Sequence, residues 1–252
     1  MENKQLWYQY SLRLGDNSLI MGHRLSELCG HAPTLEEDIA LTNIALDLVG
    51  QATMLLELAA GLSDQYTSAD ELAYLRIEKD YTHAMLVEQA NTDFAHVMLK
   101  LYLFSTYSLQ TWEQLQHCAF EPMQAIAQKA IKETKYHLRH AKEWIKRLGL
   151  GTDESNRRLQ NAVDTLWRFS EDLFAQTPED QQLVAQNAIP DAAKMYATWT
   201  NAVTQDLADV SIQIPNKNYM ILGSRAGRHT EHLGFILAEL QYLPRAYPNV
   251  SW

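Results

Sequence analysis

The chain has 252 residues, of which 46% are hydrophobic and 21% are charged, and its formal net charge at pH 7 is -10. This length and apolar content suit a globular protein with a sizeable core and argue against extensive disorder. The acidic balance argues against general nucleic-acid binding, because it does nothing to offset the repulsion of phosphates.

Three features bear on the compartment in which the protein works. No uninterrupted run of about 18 apolar residues is found, which argues against a membrane span. The first residues lack the basic and apolar regions of a signal peptide. The two cysteines, Cys29 and Cys118, make no disulfide framework and fit a reducing compartment. The sequence therefore predicts a cytoplasmic protein that binds neither membranes nor nucleic acid.

Apolar periodicity in the first half of the chain predicts three long helices. They cover about 6–28, 39–60 and 94–118, with a shorter segment over 71–79. Thr34 and Glu37 have the spacing of a capping box, which opens the second helix. Its stretch 39–58 is apolar on nearly every side, as in a buried central helix. Residues 91–93 supply candidate caps for the third helix.

The second half of the chain predicts four more helices. They cover about 121–148, 153–174, 190–214 and 229–245. Pro122 stands in the first turn of the fourth helix, where proline is favoured, and Gly149 and Gly151 follow its end. Because no internal repeat or domain linker is evident, the sequence predicts one all-α domain over residues 1–252.

The first four long predicted helices, over 6–28, 39–60, 94–118 and 121–148, indicate a ferritin-like helical bundle with additional C-terminal helices. A di-iron site in such a bundle takes one Glu from each of two helices and a Glu-x-x-His pair from each of the other two. The chain contains no Glu-x-x-His, and residues 94–112 contain no Asp or Glu. The sequence therefore predicts a bundle that cannot hold two iron ions.

Helical geometry locates the inward positions of the fourth helix. Its apolar stripe consists of Met123, Ile126, Ala127, Ala130, Ile131, Leu138, Ala141, Trp144, Ile145 and Leu148. Thr134 and His137 lie on this stripe, whereas Glu133 lies one step off it. We interpret His137 as a hydrogen-bonded core histidine, with metal ligation as the alternative. On the second helix, Asp47 is the only acid between residues 39 and 56, too few to bridge two cations.

Two Asp-x-x-His pairs, Asp80 with His83 and Asp93 with His96, lie beside predicted helix ends. We interpret them as caps and surface polar residues rather than as metal ligands, because the motif is loosely specified.

Lys100 interrupts the apolar run 97–104. A buried ammonium at this position would need a carboxylate partner, which Glu27 or Asp47 could supply in place of the missing metal charge. The alternative is a lysine whose stem reaches the surface.

The segment His229-Thr230-Glu231-His232 follows a loop that contains Arg225 and Arg228. We interpret it as an exposed surface for interaction. The last predicted helix carries apolar residues, among them Phe235 and Tyr242, on more than one side, so part of it is expected to face another protein.

Several separated segments resemble one family. They read Leu-Arg-Leu-Gly-Asp-Asn at 12–17, Leu-Asp-Leu-Val-Gly-Gln at 46–51, Lys-Ala-Ile-Lys-Glu-Thr-Lys-Tyr-His-Leu-Arg at 129–139, Leu-Trp-Arg-Phe at 166–169 and His-Thr-Glu-His-Leu-Gly at 229–234. The sequence resembles the C subunit of ring-1,2-phenylacetyl-CoA epoxidase from about residue 12 to the C-terminus, most weakly between 176 and 216.

The resemblance implies a ferritin-like subunit without a metal centre, which pairs with a homologous catalytic A subunit that holds the di-iron site. Against the ligand motifs of that paralogue, the Glu and His of the second helix become Leu48 and Gln51. The Glu of the fourth helix becomes Thr134, while His137 is kept and Glu27 matches the first-helix ligand. We therefore expect no catalytic residue, metal or other cofactor in this chain.

For the whole complex, the resemblance implies epoxidation of the ring of phenylacetyl-CoA, with dioxygen and with electrons from NADPH through a separate reductase. Arg225, Arg228, His229 and His232 are candidates for contact with CoA phosphate or an acidic partner, and a solvated loop is the alternative. Two other functions stay open. One is an active di-iron oxygenase that uses Glu27, Asp47, Glu133 and His137, and the other is an unrelated helical scaffold protein.

Overall fold

The computed structural model describes residues 3–215, 219–248 and 250, and within these residues it is helical without a β-strand. The helices are α1 (Lys4–Ser26), α2 (Leu35–Leu62), α3 (Ala69–Tyr74), α4 (Met85–Glu88), α5 (Phe94–Leu115), α6 (Glu121–Gly149), α7 (Asp153–Leu166), α8 (Pro178–Ala185), α9 (Ala192–Ala208), α10 (Glu231–Leu240) and α11 (Tyr242–Ala246), with 3-10 turns at Glu78–Asp80, Trp167–Phe169, Glu171–Phe174 and Ser224–Ala226. The all-α prediction is confirmed.

Three of the predicted helices are shorter than expected. The helix predicted over 190–214 ends at Ala208. The helix predicted over 153–174 gives way after Leu166 to the two 3-10 turns. The helix predicted over 229–245 is broken between α10 and α11. Pro244 explains the second break, because its ring would clash with the carbonyl of Leu240, four residues earlier, and it has no N–H to donate.

The chain divides into two compact units, and the first comprises Met1–His31, Asp38–Ala90 and Gly223–Trp252. Within it, α1 is buried along almost its whole length. Gly15 lets α1 approach α2 closely, since a Cβ there would lie 2.8 Å from Cδ2 of Leu56. Helix α4 packs against both α1 and α10. The prediction of a single domain over 1–252 stays a prediction.

Helix α2 is buried on one side only, so the expectation of a helix buried on nearly every side is wrong. Ile44, Leu48 and Leu55 are buried, whereas Ile39 and Leu46 are exposed. This helix is also long and apolar enough to meet a simple length-and-composition criterion for a membrane span, which the sequence analysis did not expect. Because the core helix of a water-soluble protein passes the same test, the buried side of α2 favours that interpretation.

The second unit comprises Ala32–Glu37 and Asn91–Leu222. Its centre is α5, which is buried without a break from Ala95 to Ser108 and packs against α6 and α7. The stripe predicted on α6 is buried from Met123 to Ile145, except for the half-buried Leu138 and Trp144. Four aromatic side chains of this unit pack against one another: Trp167, Phe174, Tyr196 and Trp199.

Candidate functional site

The first unit holds three of the positions that the sequence analysis compared with iron ligands. Leu48 and Gln51, three residues apart on α2, are both buried. Glu27 caps the C-terminal end of α1, and its carboxylate accepts a hydrogen bond from Arg24 Nη1 at 2.6 Å. The inward positions of α2 thus carry an alkyl group and a neutral amide, and the acid of α1 is already paired with a cation.

The second unit holds the other two positions, Thr134 and His137 on α6. Both side chains are buried, as the apolar stripe predicts, and Glu133 lies at the half-buried edge. Among the described residues, Thr134 Oγ1 has no hydrogen-bond partner. A neutral hydroxyl therefore stands at the position where the resemblance implies a carboxylate ligand in the catalytic paralogue.

Lys100 is buried, with 1% of its surface exposed, in the middle of α5. Its Nζ donates a hydrogen bond to Asn91 Oδ1 at 2.9 Å. The burial is inconsistent with a stem that reaches the surface. A carboxylate partner for this ammonium, from Glu27 or Asp47, stays a prediction.

The most concentrated polar site in the first unit is one that the sequence analysis missed. His83, Glu88 and His229, here called the His–Glu–His cluster, have side chains with 0% exposure. Glu88 Oε2 lies 2.7 Å from His83 Nε2 and 2.9 Å from His229 Nδ1. Its other oxygen accepts hydrogen bonds from the backbone N–H of Thr230 at 2.6 Å and from its hydroxyl at 2.7 Å. The two imidazole rings stack with centroids 4.4 Å apart.

Hydrogen bonding defines the charges of the cluster. His229 Nε2 lies 2.8 Å from the carbonyl oxygen of Tyr81, and His229 Nδ1 faces the Glu88 carboxylate. Both partners only accept hydrogen bonds, so both ring nitrogens must donate and the ring is an imidazolium. His83 donates from Nε2 alone, and its buried Nδ1 has no partner among the described residues. The cluster is therefore a buried ion pair of His229 with Glu88, beside a neutral His83.

The pKa shifts follow the same pattern. Burial alone would raise the pKa of Glu88, but hydrogen bonds from His229 and His83 outweigh it and lower that pKa to about 2. Burial would lower the pKa of His229, yet the hydrogen bond to Glu88 and the Glu88 charge raise it. Burial dominates at His83, whose pKa is lowered.

These three side chains also place one ligand atom each within 4.8 Å of one another, a grouping that could hold a cation. Hydrogen bonds account for the arrangement better. The two nitrogen–oxygen distances are ordinary hydrogen-bond lengths. A cation on His83 Nε2 would move the proton of that ring to its buried Nδ1, leaving a donor without an acceptor. We therefore interpret the cluster as one that hydrogen bonds hold together, rather than a bound cation.

Replacing His229 with glutamine is expected to flatten the dependence of stability on pH above neutrality. Because the folded pKa of His229 is raised, its contribution is complete below the unfolded pKa of about 6.5 and is lost as pH rises through the folded pKa. Ionised Glu88 also contributes to the free energy of unfolding, and this contribution is lost at acidic pH, as pH falls from about 4 to about 2. The lowered pKa of His83 acts against the cluster below about pH 6.5.

Urea unfolding at pH 7 and pH 9 measures the effect. The wild type should lose more free energy of unfolding between these values than His229→Gln does, while the exposed-residue control His31→Gln should behave like the wild type. Equal losses in all three proteins would contradict the ion-pair assignment.

A second buried ion pair lies beside the cluster. Asp16 of α1 accepts hydrogen bonds from Arg76 through both guanidinium nitrogens Nη1 and Nη2, and from the backbone N–H of Thr82 at 3.1 Å. The Arg76 guanidinium also lies 4.1 Å from the centroid of the Tyr81 ring. Tyr81 thus links the two pairs, since its carbonyl accepts from His229 and its ring lies against Arg76.

The loop before α10 corrects one sequence expectation. The His229 side chain is buried, so the expected exposed surface is wrong at that residue, although its backbone is partly accessible. Arg225 is half-buried and donates through Nη1 to the carbonyl oxygen of Thr82, whereas Arg228 is exposed and His232 is half-buried. Contact of these four residues with CoA or a partner stays a prediction.

Gly227 fixes the path of this loop. Its φ is +69°, and a Cβ at this position would overlap the carbonyl oxygen of Lys79. Gly30 has a similar φ of +79° with open space around it, so Gly30→Ala isolates the penalty of the left-handed conformation, about 1 kcal/mol. Gly227→Ala is expected to lower the free energy of unfolding by about 1–3 kcal/mol more, because the backbone contact must open. Equal losses in urea unfolding would show that the contact is unimportant.

The two Asp-x-x-His pairs have different outcomes. Asp93 caps α5 through the backbone N–H of His96, which confirms the interpretation as a cap, although His96 itself is buried and is not a surface residue. Asp80 is exposed, but His83 is a buried member of the cluster, so its interpretation as a surface residue is wrong. The available signal was the uninterrupted apolar run 84–87, which separates His83 from Glu88 and indicates a buried segment.

The fold and these inward positions define an all-α, ferritin-like helical protein. Residues 1–252 match the family model described as "Phenylacetic acid catabolic protein", and the chain belongs to this family. It is also similar to the C subunit of the 1,2-phenylacetyl-CoA epoxidase of Escherichia coli (strain K12), with 40% identity over 243 residues, which cover 96% of this chain and 98% of the relative. The resemblance drawn from the sequence is confirmed.

Proposed function

We propose that this protein is a non-catalytic, structural subunit of a cytoplasmic phenylacetyl-CoA epoxidase complex, in which it supports a catalytic A subunit that holds the di-iron centre. The 40% identity to the C subunit of such an epoxidase supports membership of the complex. The other components are a reductase that delivers electrons from NADPH and the remaining subunits of the complex.

The side chains at the inward positions support the proposal that this subunit is not catalytic, because they offer few atoms that can bind a metal. Two iron ions in a ferritin-like bundle require four carboxylates and two histidines. Leu48 offers no donor atom, and Gln51 and Thr134 offer neutral oxygens, which neutralise no metal charge. Glu27 is engaged by Arg24. These residues do not fit a di-iron centre. We therefore propose that the chain contributes to the complex through the surfaces of its helices, which support the partner, and not through chemistry of its own.

Iron binding tests the non-catalytic part. After reconstitution with ferrous iron, elemental analysis is expected to find no stoichiometric iron in this protein, while the catalytic A subunit treated in parallel takes up its metal. Two irons per chain at micromolar affinity would overturn the proposal in favour of an active di-iron oxygenase.

Co-expression with a catalytic A subunit tests the structural part. A stable complex containing both chains is expected, with its mass measured by light scattering or native mass spectrometry. If the two chains elute separately at micromolar concentration, the structural-subunit proposal fails and a scaffold for another partner becomes the better interpretation.

The predicted contact with CoA is part of the same proposal. Arg228 is the accessible candidate, since Arg225 is held by the carbonyl of Thr82. An exposed basic side chain at this position would attract a phosphate group of CoA.

A further inference from the structure

Half of the exposed large apolar side chains in the described part of the chain lie on one surface. Seven of fourteen belong to what we call the C-terminal face. Six of them line two neighbouring grooves: Leu75, Ile77, Tyr242, Leu243, Tyr247 and Val250. The seventh, Phe235, lies on α10 one helical turn before the groove residue Glu239. Phe235 and Tyr242 are 67% and 65% exposed. Monomeric soluble proteins rarely leave apolar side chains of this size gathered on one surface. The gathering indicates a surface that another molecule covers.

The face contains two grooves, one on each side of α11. The first has a volume of about 530 Å³ and lies between α3 and the C-terminal helices, with Leu75, Leu243 and Tyr247 among its lining residues. The second has a volume of about 560 Å³, with Ile77 and Tyr242 among its lining residues. Apolar side chains can thus enter on both sides of α11.

The charge of the first groove is of one sign. Asp70, Glu71 and Glu239 line it, and among the described lining residues there is no Lys, Arg or His. Phosphate and anionic lipid headgroups would be repelled here, which argues against CoA or a membrane surface as the occupant. A second copy of this chain is disfavoured too, because a symmetric contact centred on this groove would place the same carboxylates against one another.

Hydrogen bonds to the rest of the first unit anchor the helices of the C-terminal face. Gln241 Nε2 donates to the carbonyl oxygen of Arg76 at 2.9 Å and to the hydroxyl of Tyr81 at 3.1 Å. Arg245 Nη2 donates to the same carbonyl at 3.0 Å. Because α10 begins directly after His229 and Thr230, the His–Glu–His cluster fixes its start as well. A surface ordered before binding loses less conformational entropy when it is covered.

We propose that the C-terminal face binds a segment of a partner protein in which apolar side chains are flanked by Lys or Arg. The apolar side chains fill the grooves beside α11, and the basic ones meet Asp70, Glu71 and Glu239. This inference rests on the proposed function, because it supplies the chemistry of the partner that a structural subunit would hold.

Two labelled peptides of equal length and identical leucine positions test the chemistry, one with lysine and the other with glutamate at its polar positions. Fluorescence anisotropy is expected to show that the full-length protein binds the Leu/Lys peptide at least about tenfold more tightly than the Leu/Glu peptide. Equal binding of the two peptides, or no binding of either, would overturn the proposal.

Variants locate the site. Phe235→Glu combined with Tyr242→Glu is expected to weaken the Leu/Lys peptide at least about tenfold, as for truncated interface hot spots. These changes make the protein more acidic and would strengthen any nonspecific attraction, so a loss identifies contact with the apolar face. Asp70→Lys with Glu239→Lys should also weaken binding, while the exposed control Glu57→Lys on α2 should not. If both double variants have native circular dichroism and bind the Leu/Lys peptide as tightly as the wild type, the proposal is wrong.

Assembly with the catalytic A subunit separates this inference from the proposed function. If the wild type forms that complex and the double glutamate variant forms it equally well, the C-terminal face is not the docking surface, although the structural role stands. If the wild type does not assemble at all but binds the Leu/Lys peptide at the face, the proposed function fails and the chemistry of the face remains.

Discussion

Replacing Glu88 with glutamine is expected to lower the free energy of unfolding by about 3–5 kcal/mol, the usual cost of removing one partner from a buried ion pair. Glutamine keeps the size of the side chain but removes the charge that stabilises the imidazolium of His229. All four hydrogen bonds to the Glu88 carboxylate are donated by its partners. The amide nitrogen of glutamine is itself a donor, so it would face donor groups and leave them without an acceptor. The loss therefore combines an unpaired charge with unsatisfied donors in a site that water does not reach.

Urea unfolding followed by circular dichroism measures this loss, and Glu57→Gln on the exposed side of α2 provides the matched control. The control is expected to change the free energy of unfolding by less than about 0.5 kcal/mol. A Glu88→Gln variant as stable as the control would contradict the ion pair. Unfolding of the wild type with a chelator should match unfolding without it, and destabilisation by the chelator would show instead that a cation holds the cluster.

Replacing Asp16 with asparagine is expected to have an effect of the same size, about 3–5 kcal/mol. Asp16 is fully buried in α1, and it neutralises the buried guanidinium of Arg76 through both carboxylate oxygens. Asparagine can accept hydrogen bonds through one oxygen only, and it carries no charge. The guanidinium would remain buried without a counter-ion.

An exposed ion pair provides the comparison for Asp16. Lys4 Nζ lies 2.6 Å from Asp64 Oδ1, but the Asp64 side chain is almost fully exposed. Asp64→Asn is expected to change the free energy of unfolding by less than about 1 kcal/mol, because water screens this pair. A double variant, Asp16→Asn with Arg76→Leu, should recover part of the loss, since it removes the unpaired cation. Similar losses for Asp16→Asn and Asp64→Asn would show that burial does not decide the strength of these pairs.

The sequence was sufficient where a property depends on neighbours along one helix. The buried positions of Thr134 and His137 followed from a period of 3.6 residues, and the cap of α5, Asp93, is one of the three candidates at 91–93. The break between α10 and α11 could also have been predicted, because Pro244 stands inside the predicted helix. Apolar periodicity alone predicts a continuous helix there, and the backbone constraint of proline overrides it.

The His–Glu–His cluster could not be predicted in the same way. Glu88 and His229 are distant in the sequence, and the protonation of His229 depends on the carbonyl of Tyr81, which no side-chain pattern reveals. The exposure of Phe235 beside the buried Leu233 and Ile236 likewise required the packing of α10 to be known. Helical periodicity identifies an apolar side but does not say which neighbour covers it.

The first unit is assembled from both ends of the polypeptide, with residues 91–222 contributed to the other unit in between. During synthesis, α1 and α2 leave the ribosome long before the segment that carries His229, Gln241 and Arg245 has been made. The second unit can therefore fold as soon as residue 222 has been made, whereas the first also needs the later segment that carries α10 and α11. Until then Glu88 lacks its cationic partner, and a nascent chain stopped before residue 223 exposes the apolar surface that α10 would cover. A chain that stops before residue 223 should consequently be directed to chaperones and proteases rather than accumulate as a shortened subunit.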